Sequence, residues 1–336
     1  MTMRSVDRPI RVFSTCPPSS DYNSSEYLRR VIDIARCSEA GGCTGTLVYS
    51  DNRLVDPWLV SQIIIQNTRT LCPLVAVQPI YMHPYSVAKL VASLGYMHGR
   101  RVFLNMVAGG FKNDLEALND PTPHDQRYER LVEYTTVIMS LLSSNASVTY
   151  EGKSYKIDRL KMTPQLPPEL VPGVFVSGSS ESGLAAATAL GATAVKYPKP
   201  SIEEPALPQT GDWGLRIGVI ARPDASEAWQ IARSRFPEDR KGQLTHQLAM
   251  KVSDSEWHHA LSELPGEVPN SPYWLVPFQH YKTMCPYLVG SIEVVADEIG
   301  RYLARGYRTF ILDIPQSLED IEFTNAAFNY AMESVR

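Results

Sequence analysis

Short apolar runs rich in β-branched residues alternate with longer amphipathic runs along most of the chain. That alternation predicts βα units around a parallel sheet, not a sandwich or a helix bundle. RVFST (11–15) reads as the first strand. SSEYLRRVIDIARCSEA (24–40) follows as a helix with Ser24 or Ser25 as its cap and Gly41-Gly42 as its stop. The second unit is TGTLVYSDN and a helix from Pro57 to about Thr70, opened by Asp56-Pro57. LCPLVAVQP and HPYSVAKLVASLGYMH form the third. The fourth is RVFLNMVAGG, a buried run ending at two glycines, followed after a loop by PHDQRYERLVEY, in which His124 and Tyr128 share a helix face.

Beyond this point the units are less regular. VTYEGKSYKI (148–157) reads as a hairpin across Glu151-Gly152, and 166–172 as a Pro-rich connector. GVFVSGSSESGLAAATALGA is a strand, a break at Gly178 and a helix of small residues. ATAVKY is the sixth strand and RIGVIA (216–221) the seventh, with ASEAWQIARSRF as the next helix. From about 237 to 288 the pattern dissolves into a polar, proline-containing stretch that predicts a mobile lid. IEVVADEIGRYLARGY and RTFILDIP restore the helix and eighth strand, and FTNAAFNYAMESVR closes the chain. The expected architecture is an α/β (β/α)8 TIM barrel, one domain over 1–336, with a rim hairpin and an insertion at about 237–288.

A chain of 336 residues with 44% hydrophobic content can bury a barrel-sized core. Its 32 basic and 36 acidic residues, without a basic block, exclude a nucleic-acid or membrane-surface footprint. The default partner is a small molecule. Five scattered cysteines without a CxxC pair predict reduced thiols and no metal site, and an N-terminus lacking a long apolar run predicts a cytoplasmic protein.

In an α/β barrel the chemistry sits at the C-terminal ends of the strands. Gly178-Ser179-Ser180 before a helix offers backbone N–H groups, a positive dipole end and two hydroxyls to an anion, although Ser180 can equally be a simple helix cap. Tyr49, Ser50 and Asp51 end the second strand, either as pocket residues or as an ordinary turn. His83 either faces the pocket from the third strand or caps the next helix.

Asn105-x-Val107-x-Gly109 followed by His124-x-x-Arg127-Tyr128 resembles the flavin-dependent luciferase-like monooxygenases, and among them the alkanesulfonate monooxygenase branch. TGTLVYSDN, Gly178-Ser179-Ser180, RIGVIARPDASEAW and LVGSIEVVADEI follow in the family's order, so the resemblance spans nearly the whole chain. It implies FMN, reduced and used as a co-substrate, with its phosphate on Ser179, Ser180 and Tyr128. His124 would contact the ribityl chain, and Asn105, Val107 and Ala108 would lie under the ring. Ala108 stands where the family often has Thr. The resemblance makes LVGS (288–291) a turn and helix start. It further implies a separate flavin reductase, a C4a-peroxyflavin that oxygenates a small organic substrate, and a homodimer or homotetramer joined through helices early in the chain, with VSQIIIQN (60–67) as the candidate surface. The branch's Cys, His and Tyr are replaced by Leu54, Gly218 and Ile314, while Arg216 is kept. The departures point to a different, specialised substrate. Arg216, Ser50, Asp51 and His83 are then the catalytic candidates, and His280 and Lys282 the lid residues nearest the substrate. Alternatives are a deazaflavin-dependent oxidoreductase on the same barrel, a non-catalytic flavin-binding relative, and a flavin-free sugar or phosphate barrel.

Overall fold

Local rules account for the element ends. In the computed structural model, which describes residues 9–110, 112–208, 210–253 and 255–335, strand β1 (Arg11–Thr15) leads to helix α1 (Ser24–Ala40). Asn23, not either serine, caps α1: its Oδ1 accepts the Glu26 N–H at 3.0 Å, while Ser24 and Ser25 already lie in the first turn. β2 (Gly45–Val48) is followed by α2 (Pro57–Asn67), with Asp56 accepting the Trp58 N–H at 2.8 Å and a proline at the first helical position. Then come β3 (Cys72–Val77), α3 (Pro84–His98) and β4 (Phe103–Met106). A short α4 (Lys112–Ala117), absent from the sequence reading, precedes α5 (His124–Ser143).

The expected hairpin is present as β5 (Val148–Glu151) and β6 (Lys156–Leu160), antiparallel. Glu133 of α5 accepts the backbone N–H groups of Lys153, Ser154 and Tyr155, which seats it on the barrel. β7 (Val174–Ser177), α6 (Glu181–Ala189), β8 (Thr193–Lys196) and β9 (Asp212–Arg216) follow.

Here the structure corrects the expected seventh strand. The barrel strand is DWGLR, and most of RIGVIA forms a separate β10 (Gly218–Arg222), leading to α7 (Ala225–Arg235). With apolar residues on both sides of Arg216-Ile217, the sequence carried no mark of the change of sheet there. The stretch from 237 to 288 is also corrected, for it is built of α8 (Arg240–Val252), α9 (Glu256–Ser262), β11 (Tyr273–Trp274) and α10 (Val276–Gln279). LVGS belongs to β12 (Tyr287–Ser291), not to a turn, and Ser291 also caps α11 (Ile292–Arg305). β13 (Thr309–Ile311) and α12 (Leu318–Val335) complete the chain.

Eight parallel strands close in the order β1-β13-β9-β8-β7-β4-β3-β2. This is the (β/α)8 barrel expected from the alternating pattern. β10 pairs in parallel with β12 and β12 antiparallel with β11, forming a small sheet outside the barrel. Phe13, Phe103 and Phe175 fill the barrel interior edge to face, with centroids 5.2, 5.3 and 5.8 Å apart. Beneath them, at the strand N-termini, Arg11 joins Asp212 at 2.5 Å and bonds Thr193 and Thr309. With that end plugged, the open end is the C-terminal one. The candidate association surface of α2 turns inward: Val60, Ile64 and Ile65 are buried, and Leu59 is the large hydrophobic residue that α2 exposes.

Candidate active site

The C-terminal ends of the strands surround a cavity of about 880 Å³. On one wall, β4 presents Asn105, whose Oδ1 accepts the Ser177 hydroxyl of β7 at 2.8 Å. Arg127 sets the first turn of α5 against this strand end by donating to the carbonyls of Gly109 at 3.2 Å and Thr122 at 3.0 Å. One turn of helix puts His124 and Tyr128 edge to face at 5.2 Å, both on the cavity.

The Tyr128 hydroxyl comes so close to the β7–α6 break that a Cβ on Gly178 would lie 2.5 Å from it, so this position needs glycine. Ser180 caps α6 by accepting the Gly183 N–H at 3.2 Å and also lines the cavity, so cap and pocket residue are both true of it. The Ser179 hydroxyl is buried there without a partner among the described residues. An orphaned donor at a helix N-terminus costs stability unless a ligand completes it. Asp125 accepts the Ser182 hydroxyl at 2.6 Å and faces His124 Nδ1 at 2.9 Å, which holds its carboxyl below the usual range and ties the starts of α5 and α6 together. A phosphate fits this cradle of dipole, hydroxyls and histidine.

The opposite wall is a buried polar network. Arg216, at the end of β9 and 2% exposed, donates to Thr15 Oγ1 at 2.7 Å and to the Tyr49 hydroxyl, and stands 3.7 Å from Asp313. Burial works against its charge, but Tyr49, Cys285 and Asp313 outweigh burial and leave the guanidinium above its ordinary value. The Arg216–Asp313 ion pair thus lies inside the protein and not at its rim. Burial raises Tyr49 as well, so its phenol stays protonated.

At Gly218, the position vacated by the branch's histidine, a Cβ would run into the ring of Tyr287, its register partner across β10 and β12. The Tyr287 hydroxyl donates to Asp313 at 2.7 Å. Above the network Tyr197 stacks on Trp257 of α9, centroids 3.5 Å apart, and burial pushes Tyr197 up to about 12. Tyr287, Tyr197 and Trp257 were missed by sequence reasoning. The available signal was a glycine inside a β-branched run facing a second strand-like run, YLVGS.

Four cations line the cavity among the described residues, and each has a carboxylate: Arg53 with Asp51 at 3.1 Å, Arg216 with Asp313, Arg235 with Asp320 at 2.6 Å, and Lys282 with Asp239 at 2.5 Å. Ser50, Asp51, Val107, Ala108 and Lys282 thus share the cavity with the residues above. Two candidates do not. His83 caps α3, its Nδ1 accepting the Tyr85 N–H at 3.2 Å, because the following proline starts the helix there. His280 is buried behind α8, bonded to Gln243 at 2.7 Å and accepting the Asp239 N–H at 3.4 Å. Cys285 is fully buried and its thiol is pushed up by burial, so no thiolate is available there. No group of metal-ligating side chains occurs among the described residues, nor is any described helix long and apolar enough to cross a membrane.

A family model described as luciferase-like monooxygenase matches residues 9–201. The chain is 34% identical over 322 residues to a protein of Niallia circulans named 4-(gamma-L-glutamylamino)butanoyl-[BtrI acyl-carrier protein] monooxygenase BtrO, covering 93% of this chain and 94% of that one. In fold it is similar to the EDTA monooxygenase EmoA from Chelativorans sp. BNC1, with a TM-score of 0.70 at 16% identity over 98% of this chain and 95% of that one. It is also similar to an F420-dependent secondary alcohol dehydrogenase, with a TM-score of 0.63 at 16% identity, covering 98% of this chain and all of the other.

Proposed function

The chain belongs to the luciferase-like monooxygenase family, and from that premise we propose that it is a two-component monooxygenase that takes reduced FMN from a separate reductase and uses O2 to oxygenate a small acyl substrate. The observation that carries the cofactor reading is the buried Ser179 hydroxyl, without a partner among the described residues, at the start of α6 beside Tyr128 and His124. Ser179, Ser180 and Tyr128 would hold the phosphate and His124 the ribityl chain. Asn105, Val107 and Ala108 would support the ring. Bound there, the flavin supplies the oxygen chemistry.

The protein's own part is positioning and exclusion. Arg127 fixes α5 so that His124 and Tyr128 face the cradle. Tyr197, Trp257 and residues of the insertion form part of the cavity lining and would limit the water that reaches a bound flavin. The Tyr49 hydroxyl, held by the Arg216 guanidinium beside Asp313, places a donor where a carbonyl would lie. Ser50 and Asp51 stand at the same rim. The acyl character of the substrate follows the carrier-bound acyl group in the name of the Niallia circulans relative. Self-association is part of the same reading, and a monomer in light scattering would remove that part.

Anaerobic titration with reduced FMN, then mixing with oxygenated buffer, tests the proposal. The wild-type protein should bind in the micromolar range or tighter. Ser179→Ala combined with Tyr128→Phe should weaken binding by about tenfold or more, since each removes a hydrogen bond to a charged group. Failure to bind reduced FMN, with binding of reduced F420 instead, would replace this reading by the deazaflavin one. Binding without any oxygen reactivity would mark a non-catalytic relative.

A further inference from the structure

The polar wall around Arg216 is charge-balanced in a way that bears on what the cavity can accept. Arg216 is buried, and its charge is met by Asp313 at 3.7 Å. Asp313 is held in turn by the Tyr287 hydroxyl at 2.7 Å, possible because Gly218 leaves room for the ring. The Tyr49 oxygen accepts an N–H of the same Arg216 nitrogen, Nη2, that faces Asp313, so the phenol's own proton points elsewhere, and no described group takes it. Tyr49, Arg216 and Asp313 all line the cavity. What this wall offers is one neutralised ion pair and one O–H donor.

We infer that the cavity takes at this wall a neutral carbonyl, of an amide or a thioester, donated to by Tyr49 beside the Arg216–Asp313 pair, and disfavours a sulfonate or carboxylate head. An anion placed here would meet the Asp313 carboxylate in a water-poor site and find the Arg216 field already cancelled. A carbonyl needs a donor and no counter-charge. The phosphate cradle is on a different wall, at the start of α6, and its donors are neutral or dipolar, so it makes no demand on Arg216. The inference rests on this cavity being the substrate site and goes on to name the chemistry of the group bound.

Calorimetric titration of the flavin-free protein near neutral pH with octanamide, octanoate and octane-1-sulfonate tests it. Octanamide should bind about tenfold or more tightly than either anion, and Tyr49→Phe should weaken octanamide by about tenfold while leaving octanoate unchanged. Asp313→Asn should unmask Arg216 and strengthen octanoate by about tenfold, with octanamide unmoved. Tyr287→Phe, which keeps the Asp313 charge, should give no gain in octanoate. The inference also stands or falls on the wild-type ranking and Tyr49→Phe, should Asp313→Asn fail to fold. Octanoate or octane-1-sulfonate binding as tightly as octanamide overturns it, as does absence of octanamide binding. Because no flavin is present, this outcome is separable from failure of the protein to bind reduced FMN.

Discussion

The residues that were legible in the sequence are those whose geometry is local. His124 and Tyr128 share a face because they are four apart on a helix, and Ser179 and Ser180 stand at a helix start because Gly178 breaks the strand. Their neighbours were not all legible. Tyr128 reaches over Gly178 from another element, and that contact makes a sharp prediction: Gly178→Ala puts a methyl 2.5 Å from the Tyr128 hydroxyl. We expect it to weaken reduced FMN more than Ser179→Ala does, and to cost about 1–3 kcal/mol of stability in urea unfolding through overpacking. Equal flavin affinities for the two variants would show that the close approach has no part in the cradle. Tyr287, Tyr197 and Trp257 enter the cavity from strands and helices distant in the chain, and no spacing rule joins them to Gly218 or Arg216.

Among the elements, the βα units with a cap, an apolar face and a glycine stop were read nearly to the residue, α1 included. The insertion was misread because its helices are short or polar and its core is aromatic and histidine-rich. His246 and His258 lie with centroids 6.2 Å apart, packed on Phe278, and Trp257 stacks obliquely on His258. Polar letters in a sequence suggest solvent, yet here the imidazoles are core. Burial, and then the neighbouring His246 and His259, push His258 down to about 3 from its ordinary 6.5. A value lowered in the folded state means that the unfolded chain takes up the proton first as pH falls. The stability from this site is therefore intact above about 6.5 and lost progressively toward 3. The urea midpoint should drop on acidification from neutral pH to about pH 4, and His258→Gln should flatten that drop while lowering the neutral midpoint. An unchanged slope in the variant would remove His258 as its source.

For the molecule as a whole, the barrel separates what holds it together from what it does. The Phe13–Phe103–Phe175 cluster and the Arg11–Asp212 pair lie at the closed end, and the cradle and the Arg216 network at the open one. Phe103→Ala should lower stability by about 3–5 kcal/mol while leaving the affinity of the folded protein for reduced FMN unchanged. A proportionate loss of flavin affinity would show the two ends to be coupled. The overall alternation of strands and helices was enough to read this architecture, because a closed parallel sheet needs each strand buried on both sides and each crossover to be a helix. The exit of the chain from the barrel at Ile217 was not legible, since a strand that changes sheets keeps the same apolar composition.

That exit has an evolutionary consequence. Gly218 and Tyr287 occupy one volume between them, so a mutational route toward a histidine at 218 is ordered: the tyrosine ring must shrink before the larger side chain can be admitted. Taken in the other order the first step collides. The two sites form an epistatic lock on this pocket's lineage.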